Sequence, residues 1–119
     1  MKKPKGRNQG RDLSGYRALW LFVMFDVPMD TSEARRDYNH LLKRLKKEGF
    51  TRIQLSIYAR YCPSEDFAKP YRNRIKTFIP PDGHVRFISI TDAQFGKMES
   101  YYGKSREKVE EPPEQMQLF

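Results

Sequence analysis

Hydrophobic and polar positions divide the chain into segments of different period. Ala18–Val27 (ALWLFVMFDV) is apolar throughout except at Asp26. A run of that length, rich in aromatic and branched side chains, predicts a strand buried on both faces. Pro28 ends it, because proline has no donor for a ladder. Ala34, Tyr38, Leu41, Leu42 and Leu45 then recur at helical spacing and predict an amphipathic helix. Asp30 or Thr31 can cap its free amides, and Glu33 suits the positive end of the helix. Gly49 closes it as the left-handed residue past the last turn.

Phe50–Tyr61 alternates: Ile53, Leu55, Ile57, Ala59 and Tyr61 point one way, and Arg52, Gln54, Ser56, Tyr58 and Arg60 the other. That is the pattern of a half-buried antiparallel strand. Twelve residues is long for one strand. The segment is therefore either one bent strand or two strands meeting near Ser56, and no glycine or proline decides between them. Ser64 caps a second helix whose stripe is Phe67, Tyr71, Ile75 and Phe78. Pro70 either kinks that helix or begins its regular part. Pro80-Pro81-Asp82-Gly83 is a turn. His84–Thr91 is a strand, and after a short loop with Gly96, Lys97–Tyr102 is the last one.

This order, β-α-β(β)-α-β-β, predicts a two-layer α+β sandwich. If Phe50–Tyr61 is two strands, the core is βαββαβ, a ferredoxin-like fold. That fold hosts many functions and settles none. Three regions are expected. Residues 1–17 form a basic arm, flexible by composition. Residues 18–103 form the domain, and residues 104–119 a charged linker with a docking end. In that end, Met116, Leu118 and Phe119 can add to a sheet edge, the chain's own or a partner's.

Composition narrows the chemistry. The 119 residues fit one domain and carry a formal charge of +8, with a pI near 9.7. Such an excess favours polyanions by long-range attraction and counterion release. No window reaches the length of apolar sequence that spans a bilayer, and no signal-peptide pattern follows the basic start, so a membrane partner is not expected. The single cysteine, Cys62, allows no intrachain disulfide and no cysteine-based zinc site, which suits a cytoplasmic protein. With only two histidines and no Gly-rich phosphate loop, the usual triads and nucleotide motifs are excluded.

The candidate chemistry is sparse. Asp26 is the lone acid of an apolar strand. Either it accepts backbone amides of the Val27–Ser32 turn, or it holds a hard cation such as Mg²⁺. One acid is thin for a nuclease, so two Asp26 residues face to face across a two-fold dimer would be the economical arrangement. Asp92 follows a strand and reads as a turn former. Arg52, Ser56, Tyr58 and Arg60 share one strand face, which suits phosphate and sugar contact or an ordinary solvated sheet surface. Lys2, Lys3, Lys5, Arg7, Arg11 and Arg17 make the arm a phosphate tether or a solubilising tail. Cys62 reads as structural.

Phe-Asp-Val-Pro at 25–28, Leu-Lys-Lys-Glu-Gly-Phe at 45–50, Ile-Gln-Leu-Ser-Ile-Tyr at 53–58, His-Val-Arg-Phe-Ile-Ser-Ile-Thr at 84–91 and the Gln-Met-Gln-Leu-Phe ending form an ordered set. That set resembles the CRISPR-associated protein two family, the small subunit of the spacer-acquisition complex, and its ending resembles the group found with type II systems. The resemblance implies a ferredoxin-like homodimer with an additional C-terminal strand that crosses to a partner. It implies a protein that holds the protospacer DNA backbone and bridges dimers of the CRISPR integrase, protein one. It also implies a Mg²⁺-dependent endonuclease on single-stranded RNA or double-stranded DNA, with Asp26 as the catalytic, metal-binding residue. Phe25 stands where the family pattern often has tyrosine. The alternative is a free, dimeric, toxin-like metal-dependent endoribonuclease of the same fold.

Overall fold

A computed structural model of the chain describes residues 17–112. Lys2, Lys3, Lys5, Arg7, Arg11, Met116, Leu118 and Phe119 lie outside the described residues.

The elements run β1 (Leu19–Asp26), α1 (Ser32–Lys47), β2 (Thr51–Gln54), β3 (Ile57–Cys62), α2 (Glu65–Lys76), β4 (His84–Thr91), α3 (Asp92–Gly96), β5 (Ser100–Tyr102) and β6 (Ser105–Glu107). The first four strands form one antiparallel sheet in the order β2-β3-β1-β4. With α1 and α2 packed against one face, this is the βαββαβ ferredoxin-like sandwich.

Burial explains why each element forms. Leu19, Leu21, Val23 and Phe25 alternate toward the helices and pack with Tyr38, Leu41 and Leu45 of α1, Tyr58 and Cys62 of β3, and Ala68 and Ile75 of α2. Thr31 caps α1 by accepting the Ala34 amide at 3.0 Å, and Glu33 lies in its first turn. Gly49 leaves the helix with φ +87°. Pro70 sits inside a continuous α2, and Ser64 occupies its N-cap without a side-chain hydrogen bond.

One open choice is decided and several expectations change. Phe50–Tyr61 is two strands, joined by the two-residue turn Leu55-Ser56. That turn leaves Leu55 67% exposed rather than pointing inward. The face of α2 turned to the sheet runs through Ala68, while Phe67 is 59% exposed: the apolar stripe is offset by one residue because the small side chain is what the close packing admits.

The second face of β1 is only partly covered. Trp20 is buried there, Phe22 and Met24 are half-buried, and Asp26 is exposed. Its cover is α3, where a loop was expected. Thr91 and Gln94 close a capping box around that helix. Phe95 stacks on Trp20 at 4.1 Å between centroids, and the Trp20 indole donates to Asp92 Oδ1 at 2.8 Å. Asp92 thus anchors α3 rather than merely turning the chain.

Lys97–Tyr102 is not a strand of the main sheet. Only Ser100–Tyr102 is extended, and it pairs with Ser105–Glu107 in a separate hairpin. The expected boundary between 103 and 104 falls in that hairpin's turn.

Candidate functional site

Asp26 ends the strand second from one edge of the sheet, directly opposite His84 at the start of β4. Antiparallel pairing brings the end of one strand to the start of the next, and cross-strand partners share a face. Asp26, His84 and Arg86 therefore emerge together on the side away from α1 and α2. They line, with Met24 and Phe25, a shallow recess of about 270 Å³. Arg86 Nε lies 3.4 Å from His84 Nε2. Asp26 is exposed, and no hydrogen bond or ion pair to its carboxylate forms among the described residues. The amides of the Val27–Ser32 turn do not take it up, so the structural alternative finds no support in the geometry.

No group of three or more His, Cys, Asp or Glu side chains is placed to hold a metal ion among the described residues. What a cation finds in one protomer is a single exposed carboxylate. Mg²⁺ keeps several waters and accepts one or two carboxylates together with phosphate oxygens. An unpartnered Asp26 fits that requirement as one donor, with waters and phosphate oxygens or a further carboxylate able to fill the other positions.

The other candidates do not make one surface. Arg52 is exposed on β2, opposite Tyr58. Ser56 lies in the turn, where its carbonyl accepts the Phe25 amide at 3.0 Å. Tyr58 is 1% exposed, within the core beneath the helices, and burial pushes its phenol above the ordinary value. Arg60 lies over the Tyr71 ring at 4.1 Å and donates to the Tyr71 hydroxyl at 2.7 Å. The face expected to be open is thus the one the helices cover. The β-turn explains it: β3 is central, and its Tyr58, Arg60 and Cys62 pair in register with the inward residues Val23, Leu21 and Leu19 of β1. Arg17 is exposed at the start of the described chain.

His84 and Arg86 were missed as candidates. The signal for them was present. They alternate along HVRFISIT, and an antiparallel neighbour of β1 would carry its first residues to the Asp26 end.

A small antiparallel ferredoxin-like sandwich with one exposed acid at the tip of its inner strand defines the class. Residues 19–98 match the family model described as CRISPR associated protein Cas2. The CRISPR-associated endoribonuclease Cas2 of Parvibaculum lavamentivorans is 43% identical over 101 residues, covering 85% of this chain and 100% of that protein. The protein of the same name from Flavobacterium psychrophilum is 39% identical over 107 residues, covering 90% and 93%. The crystal structure of Streptococcus pyogenes Cas2 at pH 6.5 superposes with a TM-score of 0.54 at 20% identity, over 70% of this chain and 99% of that one; it shows the fold alone. The chain belongs to the Cas2 family. No helix among the described residues is long and apolar enough to cross a membrane.

Proposed function

We propose that the chain is the small subunit of a CRISPR spacer-acquisition complex. In this reading it is a homodimer that holds the protospacer DNA backbone and bridges integrase dimers. A conditional, Mg²⁺-dependent endonuclease activity resides at Asp26. The observation that carries the catalytic part is the exposed, unpartnered Asp26 carboxylate at the tip of an otherwise apolar strand. An exposed carboxylate with no structural partner is free to take a hydrated cation as a ligand. The net charge of +8 supports the backbone-binding part. The relatives' names, which specify endoribonuclease, favour RNA as the cleaved strand.

Mg²⁺, when bound, would polarise a phosphodiester and orient a water for attack on it. Asp26 is the residue that would hold the ion, on the face of the sheet away from the helices. Two copies related by a two-fold axis would bring two such carboxylates to one site.

Cleavage of single-stranded RNA and of duplex DNA, with and without Mg²⁺, tests the catalytic half. Asp26→Asn is expected to lower the rate by at least about a hundredfold while leaving the melting temperature unchanged, because the side chain is exposed. Equal cleavage by the variant removes Asp26 from the reaction. Co-purification with the integrase from the same locus, and support of prespacer integration by it, test the assembly half separately.

A further inference from the structure

Arg86 stands beside Asp26 with no role in the reading above. It pairs in register with Met24, one step along the same face from the Asp26–His84 pair. Asp26 and Arg86 are thus diagonal neighbours, about 7 Å apart at their β-carbons in a regular antiparallel ladder. They form no ion pair. The contact Arg86 does make is the long one to the His84 ring, and its side chain is exposed. An arginine and a carboxylate that share a recess, yet leave each other unpaired, bound a gap with one cationic and one anionic wall.

A phosphodiester suits that gap. One non-bridging oxygen can take the planar fork of the guanidinium, a geometry arginine offers better than lysine. The other is left for the Asp26 side, where a divalent cation on the carboxylate would receive it. Met24, paired with Arg86 in register, adds apolar lining to the recess. We propose that Arg86, steadied by His84, is the phosphate-holding residue of this recess, and that its ligand is the phosphodiester backbone of a nucleic acid. The proposal rests on the nucleic-acid reading above but not on catalysis at Asp26.

The test measures binding of a short single-stranded RNA to the full chain in EDTA. The unmodified protein is compared with Arg86→Gln, Arg86→Lys and Lys43→Gln. Lys43 is exposed on α1, across the sheet from the recess, so its loss removes one charge without touching the site. Arg86→Gln is expected to weaken binding about tenfold, as for loss of a charged hydrogen bond. Lys43→Gln should weaken it no more than about twofold, as a distant screened charge, and Arg86→Lys should fall between them. With Mg²⁺ present, Arg86→Gln should raise KM and leave kcat nearly unchanged, the mark of binding shared by ground and transition states. If Arg86→Gln binds no worse than Lys43→Gln, the proposal fails. If the unmodified chain binds neither this RNA nor a short duplex DNA, the proposal and the nucleic-acid reading fail together; if it binds the duplex alone, the same variants are compared on the duplex. If Asp26→Asn cleaves normally while Arg86→Gln still binds about tenfold worse, the metal reading fails and the phosphate site stands. Unchanged melting temperatures show that the variants are folded.

Discussion

At Gly49 the chain leaves α1 with φ +87°, and a β-carbon there would stand 2.0 Å from Arg60 Nη1. Two requirements coincide: a left-handed backbone and room for the guanidinium that lies on Tyr71. Gly103 also has a positive φ, +62°, but a β-carbon there meets nothing within 4 Å. Gly103→Ala should therefore cost only the backbone strain, about 1 kcal/mol. Gly49→Ala should cost about 2–3 kcal/mol, since Arg60 must also leave the ring it covers. Urea denaturation of both variants measures the difference, and equal costs would show that Arg60 shifts freely. Cys62 offers a second test at this scale. It is fully buried, and desolvation pushes its thiol from 9.0 to about 11, with Arg60 opposing the rise. The unfolded thiol ionises first as pH rises, so the unfolded state binds fewer protons and the native state loses stability between about pH 9 and 11. Iodoacetamide should leave Cys62 unmodified in native protein at pH 8 and modify it readily in urea. Cys62→Ala should flatten the part of the stability loss between pH 9 and the onset of tyrosine ionisation.

Among the elements, those readable from sequence are the ones whose side-chain period matches their burial. β1 declared itself by a continuous apolar run, α1 by a stripe at helical spacing with a cap and a closing glycine, and β4 by its branched residues. Phe50–Tyr61 shows where the reading gives out. Its alternation held along Ile57–Tyr61 but broke at the register shift between Arg52 and Gln54 and at the turn, and period alone does not say which face meets the helices. The turn at Leu55-Ser56 has no glycine or proline to mark it, and register with β1 decides the matter. Arg60 looked like a surface cation because its cover is an aromatic ring, Tyr71 of the next element α2, which only packing lays over it. Ala68 displaced Phe67 in the α2 interface because tight packing rewards a small side chain that hydropathy barely notices. α3 was hidden for the same reason as His84 and Arg86: its meaning comes from tertiary pairing, with Phe95 on Trp20 and Asp92 on the indole. Asp26 was legible because a lone acid in an apolar strand is a local contradiction. Its company was not, because the neighbours arrive from a strand nearly sixty residues later.

For the whole molecule, the distribution of charge matters more than any one contact. The net charge is +8, and residues 1–16 hold five lysines and arginines against one acid. About half of the excess thus precedes the folded domain. Long-range attraction depends on that total, whereas the recess at Asp26 depends on two or three groups in register. The two contributions separate by salt. Each phosphate neutralised adds about 0.9 to the slope of log affinity against log salt on duplex DNA. Four contacts would lower affinity roughly a hundredfold between about 50 and 200 mM salt. If the arm tethers phosphates, deleting residues 1–16 should lower that slope markedly, while Arg86→Gln should lower it by about one contact. A deletion that leaves the slope unchanged would confine the arm to solubility and place backbone binding on the folded domain alone. A slope near zero in the intact chain would instead remove the electrostatic basis for DNA binding, whatever Asp26 does. The cleavage and salt experiments therefore fail independently of each other.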